Sequence, residues 1–191
     1  MLTTLLIFLG VLIAMAVVAV LIWSGTHNRL VALDERCESA FADVDVQLKH
    51  RANLIPPLVE TVRAFARHES DLIAEVVQRR AEAVRASGPN ARLEAETQLG
   101  NTLNQLMSLA EKYPDLKASD HFRELRAELS DAEHRITAAR RFYNLAVSEF
   151  NATLRQFPGS MIGGAVHLHR RRPFDLGVER VILDEPVAVS F

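Results

Sequence analysis

Seven histidines and a single cysteine are the side chains of this 191-residue chain best suited to chemistry, and their spacing limits what they can do. A helical zinc site needs two histidines four residues apart beside a glutamate, and that pattern is absent. His167 and His169 are spaced as a strand or loop pair, with no carboxylate before Asp175. Cys37 has no second cysteine to bond, and it lies on an apolar stripe, which makes it a structural thiol. His68-Glu69 resembles the phosphoacceptor pair of a sensor-kinase helix. The proline that should follow is missing, however, and no ATP-binding domain fits the rest of the chain. No glycine-rich loop follows a strand, and no serine sits in a nucleophile elbow. The expectation is a protein without catalytic residues, metal or cofactor.

One polar pattern is less ordinary. Ser130, Thr137, Asn144 and Asn151 recur every seventh residue beside a row of large apolar residues. They read either as a half-buried flank or as a seam that fixes helix register or accepts a partner, as a buried asparagine does in coiled coils.

That row belongs to one long amphipathic helix predicted from Ser119, as N-cap, to a stop at Pro158-Gly159. Phe122, Leu129, Ile136, Tyr143, Phe150 and Phe157 form its large-residue stripe, and Leu125, Ala132, Ala139 and Ala146 a second, mostly small one. Three shorter helices are predicted before it. The first carries Leu30, Leu33, Cys37, Phe41, Val44, Leu48, Ala52 and Ile55 and is expected to break at Pro56-Pro57, with a single rod kinked through Pro56 as the alternative. The second carries Leu58 to Val77 and ends at Ser87-Gly88-Pro89; the third, capped by Asn90, carries Leu99, Leu103, Leu106, Ala110 and Tyr113. At about 25, 29 and 23 residues they suit an up-down-up-down arrangement, beyond which the last helix would project about 15 Å.

From Leu2 to Trp23 the chain holds no charged residue, and its rise of about 33 Å matches a bilayer core. The basic n-region and small-x-small site of a cleaved signal peptide are missing, so an uncleaved anchor is expected. Arg29 and Arg36 follow the span, which leans the rest of the chain toward the cytoplasm. With a net charge of -2, bulk electrostatics point away from nucleic acid. After the long helix come an apolar stretch, Met161 to Leu168, and Arg170, Arg171 and Arg172. Trp23, Arg29, Met161, Ile162 and these three arginines are the candidates for contact with a membrane surface. Phe174 to Phe191 reads as disordered or as a strand-like segment.

Two ordered sets of residues carry a family resemblance. Phe41-Ala-Asp-Val-Asp-Val-Gln-Leu-Lys49, Asn53-Leu-Ile-Pro56 and Leu58-Val-Glu-Thr-Val62 form the first. Arg135-Ile136, Ala139-Arg140, Tyr143-Asn144, Ala146-Val147, Phe150-Asn151 and Phe157-Pro158-Gly159 form the second. Together they resemble the LemA family over most of the chain; Phe41 stands where a Trp is usual and Pro57 where an Asn is expected. The resemblance implies a single-pass bacterial membrane protein with a cytoplasmic antiparallel helix bundle, without enzyme activity or cofactor.

The resulting expectation is an all-α chain: an N-terminal transmembrane helix followed by an antiparallel up-and-down four-helix bundle with a long last helix and a C-terminal tail. Its parts are a transmembrane anchor and juxtamembrane segment (1–28), a LemA-like bundle (29–158), and an apolar-basic patch with a flexible tail (159–191). It would sit in the bacterial inner membrane as a coiled-coil-like scaffold or adaptor. Its partners would be the lipid bilayer, other membrane or envelope proteins and further copies of itself. The rival reading is a sensory module whose bundle binds a small ligand in an internal polar pocket and passes on a helix shift.

Overall fold

The structure, a computed structural model, describes residues 1–174. All its regular elements are helices: α1 (Leu2–Phe65), α2 (Ser70–Arg85), α3 (Pro89–Ser108), a 3-10 turn (Leu109–Glu111), α4 (Pro114–Ala118), α5 (Asp120–Arg155) and α6 (Gly159–Ala165). Among the described residues there is no strand. The chain divides into two compact units. Among the described residues, one comprises 1–40 and 144–173 and the other 41–143 and 174, and α1 and α5 contribute to both.

The described residues of the larger unit share an apolar core. Ile55, Leu58 and Val62 of α1, Ile73 and Val76 of α2, Leu99, Leu103 and Leu106 of α3, Leu116 of α4 and Phe122, Leu125 and Leu129 of α5 all lie in it. Each fully buried side chain of this size contributes about 1.5–3 kcal/mol relative to exposure. Phe41 meets Tyr143 edge-on at 5.8 Å between ring centres, and Arg51 reaches Glu133, so α1 and α5 run antiparallel here.

The predicted break at Pro56-Pro57 is not there. α1 continues through both prolines to Phe65 and yields at residues 66–69 instead. The residues assigned to one second helix are thus divided between α1 and α2. A proline inside a helix strands the carbonyl four residues back, which for Pro56 belongs to Ala52. That buried oxygen accepts a hydrogen bond from Arg80 Nε of α2 at 2.7 Å, so the main cost of the proline is met from outside the helix. Arg80→Ala should therefore cost about 1–3 kcal/mol where Pro56 is present and clearly less in a Pro56→Ala background. A double-mutant cycle by chemical denaturation checks the coupling; additive losses would refute it.

Smaller differences follow from capping. α3 starts two residues earlier than predicted, with Gly88 at φ 81° as the N-cap in place of Asn90 and Pro89 at the first helical position. The connection before α5 contains the short α4. Ser119 does cap α5, its Oγ accepting from Phe122 N at 3.4 Å. α5 ends at Arg155, and Pro158-Gly159, expected as a plain stop, opens α6. The large-residue stripe is buried from Phe122 to Phe150, while Phe157 is 79% exposed.

In the smaller unit residues 1–25 of α1 are exposed, Thr26 and His27 are half-buried, and Leu30, Leu33, Cys37 and Ala40 are buried. The exposed stretch is long and apolar enough to cross a membrane. Also buried in this unit are Ala146, Val147, Phe150 and Leu154 of α5 and Gly159, Ile162 and Gly163 of α6. The C-terminal end of α5, expected to project beyond its partners, is therefore covered. α1 continues ten residues past Ile55, where the first helix was expected to end, and so is longer than the partner that the projection assumes.

Candidate functional site

The smaller unit holds a dense polar arrangement. Residues 166–173 leave α6 and return along α5 and α1, fixed at Arg171. Asn151 grips the Arg171 backbone at both ends: Nδ2 donates to the Arg171 carbonyl at 2.8 Å, and Oδ1 accepts from Arg171 N at 3.0 Å. The guanidinium donates through Nε to Asp34 Oδ1 and through Nη2 to Glu38 Oε1, both at 2.7 Å. The hydrogen bond to Asp34 leads in pushing the Arg171 pKa above its usual value, ahead of a burial effect that opposes it. Arg36 pairs with Glu149 at 3.0 Å, so α1 and α5 are antiparallel in this unit also. Charged hydrogen bonds of this length are among the stronger polar contacts available to a protein.

Beneath this clasp lies Cys37, fully buried. Burial pushes its thiol pKa up, against the opposing pull of Arg171. Its thiolate fraction at pH 8 is accordingly below that of a free cysteine. We expect the native chain in detergent to resist alkylation by iodoacetamide at pH 8 and to react fully once denatured; rapid native labelling would contradict this burial.

Glycines permit the close approach of α6. A Cβ built on Gly159 would lie 2.2 Å from the Thr153 carbonyl oxygen, and one on Gly163 the same distance from Leu154 Cδ1. The chain enters α6 through a cis Phe157–Pro158 bond.

The seam residues fall in different surroundings. Asn151 holds the clasp, Asn144 and Thr137 are half-buried, and Ser130 is exposed. Asn151→Leu should cost about 1–3 kcal/mol, because it leaves the Arg171 amide and carbonyl without their partner. Faster tryptic cleavage at Arg170 and Arg172 would report the loosened segment; an unchanged cleavage rate would discount the clasp.

Of the residues proposed for membrane contact, Trp23, Arg29, Met161, Arg170 and Arg172 are exposed, Ile162 is fully buried and Arg171 is in the clasp. Ile162 and Arg171 thus face the protein's own interior and its acidic side chains. The described part of the 159–191 segment begins as helix and is tied down at Arg171; the rest of the stretch expected to be disordered or strand-like, from Asp175 on, lies outside the described residues.

The larger unit contains a buried ionic cluster that sequence reading missed. Arg51, 2% exposed, bonds Glu96 through Nη2 and Glu133 through Nη1, the latter at 2.5 Å. Burial disfavours the charge on Arg51, but Glu133 and Glu96 more than offset this and its pKa rises. Arg92 pairs with Asp45 at 3.0 Å and Glu96 at 3.3 Å, and its Nη1 donates to the Ala83 carbonyl in the last turn of α2. The signal was present: Glu96 continues the three- and four-residue steps of Leu99, Leu103 and Leu106, and Arg51 adjoins Ala52 between Leu48 and Ile55. A charge in a core register is a buried ion pair waiting for its partner. Beside this cluster, a cleft of about 290 Å³ between α3 and α5 is lined by Leu103, Met107 and Leu129 and by the polar Asn104, Arg126, Ser130, Glu133 and His134.

Over the described residues, fold and site together define an all-helical protein with one N-terminal helix of membrane-crossing length and ionic clasps between its helices. The chain belongs to the LemA family, whose sequence model matches residues 40–191. It is 24% identical over 208 residues to the magnetosome protein MamQ 2 of Paramagnetospirillum magneticum, covering 95% of this chain and 75% of that one. The magnetosome protein MamQ of Magnetospirillum gryphiswaldense is 24% identical over 158 residues, with 69% and 58% covered. The protein LemA of Metamycoplasma hominis is 22% identical over 165 residues, with 85% and 75% covered.

Proposed function

We propose that the chain is a non-enzymatic, single-pass membrane scaffold or adaptor of the LemA family. In this reading an antiparallel up-and-down four-helix body stands beside the bacterial inner membrane, on its cytoplasmic side. The observation that carries it is the passage of α1, without a break, from a wholly exposed apolar stretch into the buried face at Leu30, Leu33 and Cys37. A helix so joined holds a body at a fixed place next to a bilayer. The lean toward the cytoplasm comes from Arg29 and Arg36.

Partners of this scaffold are other membrane or envelope proteins or further copies of itself. Leu145, 69% exposed on α5, is a suitable probe position. A photo-crosslinker placed there in intact membranes should give discrete, reproducible protein adducts; adducts with lipid alone would count against the scaffold. A compartment-sensitive reporter fused after Phe191 decides the orientation, and a periplasmic signal would reverse it.

The second reading, a ligand-binding sensory module, draws on the α3–α5 cleft, where Ser130 of the seam and Glu133 of the ionic cluster share one wall. Ser130→Trp would fill it. An unchanged cellular phenotype for that variant would remove this reading and leave the scaffold in place.

A further inference from the structure

We propose that the α5–α6 corner, through Phe157 and Met161, enters the headgroup layer of the bilayer that α1 crosses. The body would then be held to one membrane at two points. The inference rests on the reading of α1 as a membrane span.

Burial along α1 gives the height of the corner. Residues 1–25 are exposed, cover begins at Thr26 and His27, and Leu30 is fully buried. Within this unit, the pairing of Arg36 with Glu149, and of Asp34 and Asn151 through Arg171, carries the C-terminal end of α5 toward the N-terminal end of α1. The protein that begins to cover α1 at Thr26 is thus the corner. Thr26 is three residues beyond Trp23, about 4.5 Å along the helix axis. A headgroup layer is roughly 5–7 Å deep on each side of the hydrocarbon. If Trp23 marks the end of the span, the edge of the corner lies within that layer.

The chemistry of the corner fits such a place. Ile162 and Gly163 are turned into the protein, whereas Phe157 and Met161, at 79% and 62%, are among its most exposed large apolar residues outside the span. From Phe150 to Pro173 the sequence contains four arginines and no aspartate or glutamate. Arg171 is held by Asp34 and Glu38, while Arg155 and Arg170 are exposed. Apolar side chains beside cationic ones, with no acid between them, match an anionic lipid surface better than they match water.

The test uses the full chain in vesicles of phosphatidylcholine and phosphatidylglycerol. A Met161→Cys variant carries an environment-sensitive fluorophore, and a Glu124→Cys variant, labelled alike, is the aqueous control. Cys37 is replaced by Ala or, should that variant fold poorly, left in place and shielded by its burial. The label at 161 should emit to the blue of the control and be quenched by lipids bearing a headgroup-level quencher. Phe157→Asp should reduce the quenching, and Phe157→Leu should restore it. If the chain resists alkaline extraction while the label at 161 behaves like the control, the second contact is refuted and the anchor stands. If alkali strips the chain from the vesicles, the anchor fails, and the inference with it. A blue shift without lipid quenching would mean that protein, such as a second copy, covers the corner, and would overturn the lipid assignment.

Discussion

Replacing Arg51 by methionine will destabilise the chain by about 3–5 kcal/mol, because it leaves the carboxylate of Glu96 buried without its closest cation. Arg92 remains 3.3 Å from Glu96, which places the loss toward the lower end of that range. The converse change, Glu96→Leu, strands Arg51 less severely, since Glu133 stays and is itself 48% exposed. The double replacement Arg51→Met with Glu96→Leu should recover much of what the first change lost, since apolar residues of similar volume often substitute for a buried pair without penalty. Urea denaturation of the full chain in detergent, followed by helical circular dichroism, gives all three values. A loss below about 1 kcal/mol for Arg51→Met would mean that water reaches the cluster.

The second large effect is expected at Gly159. A methyl group there collides with the carbonyl of Thr153, which belongs to the backbone of α5 and cannot turn aside. Gly159→Ala should therefore cost at least the 1–3 kcal/mol typical of overpacking. Gly163→Ala meets only the tip of Leu154, which can change rotamer, and should cost less. Gly164→Ala meets nothing within 4 Å and should be neutral or slightly stabilising, as alanine is the better helix former. The order of the three variants in one denaturation series is the test, and a Gly159→Ala chain as stable as Gly164→Ala would dissolve the close packing of α6.

What could be read beforehand followed from periodicity. The all-helical class, the apolar helix at the start, the Ser119 cap and the burial of Phe122, Leu129, Ile136, Tyr143 and Phe150 are visible as residue types at fixed intervals. Elements that depend on a distant partner were not legible. Proline is a local signal for a break, and it misled because the compensating donor, Arg80, lies on another helix, 28 residues from the Ala52 carbonyl it satisfies. The turn at residues 66–69 contains neither glycine nor proline, so nothing local announced it. Of the candidate site, the importance of Asn151 was signalled by its place in a heptad row, but its partner was not. A backbone amide and carbonyl twenty residues away carry no side-chain signature. Arg171 looked like one of three equivalent arginines, and only the positions of Asp34 and Glu38 set it apart.

The clasp at Arg171 also bears on the order in which the protein is made. Arg171 and Asp34 are 137 residues apart, so at roughly 5–20 residues per second about 7–27 s separate their synthesis. For most of that interval Leu30, Leu33 and Cys37 have been made, and the residues of α5 and α6 buried in the same unit have not. The stretch of α1 nearest the apolar segment is thus the first helix made and the last to be enclosed. A nascent chain whose part outside the ribosome ends just before Asn151 should leave Cys37 open to a thiol reagent, and one whose outside part extends past Phe174 should close it.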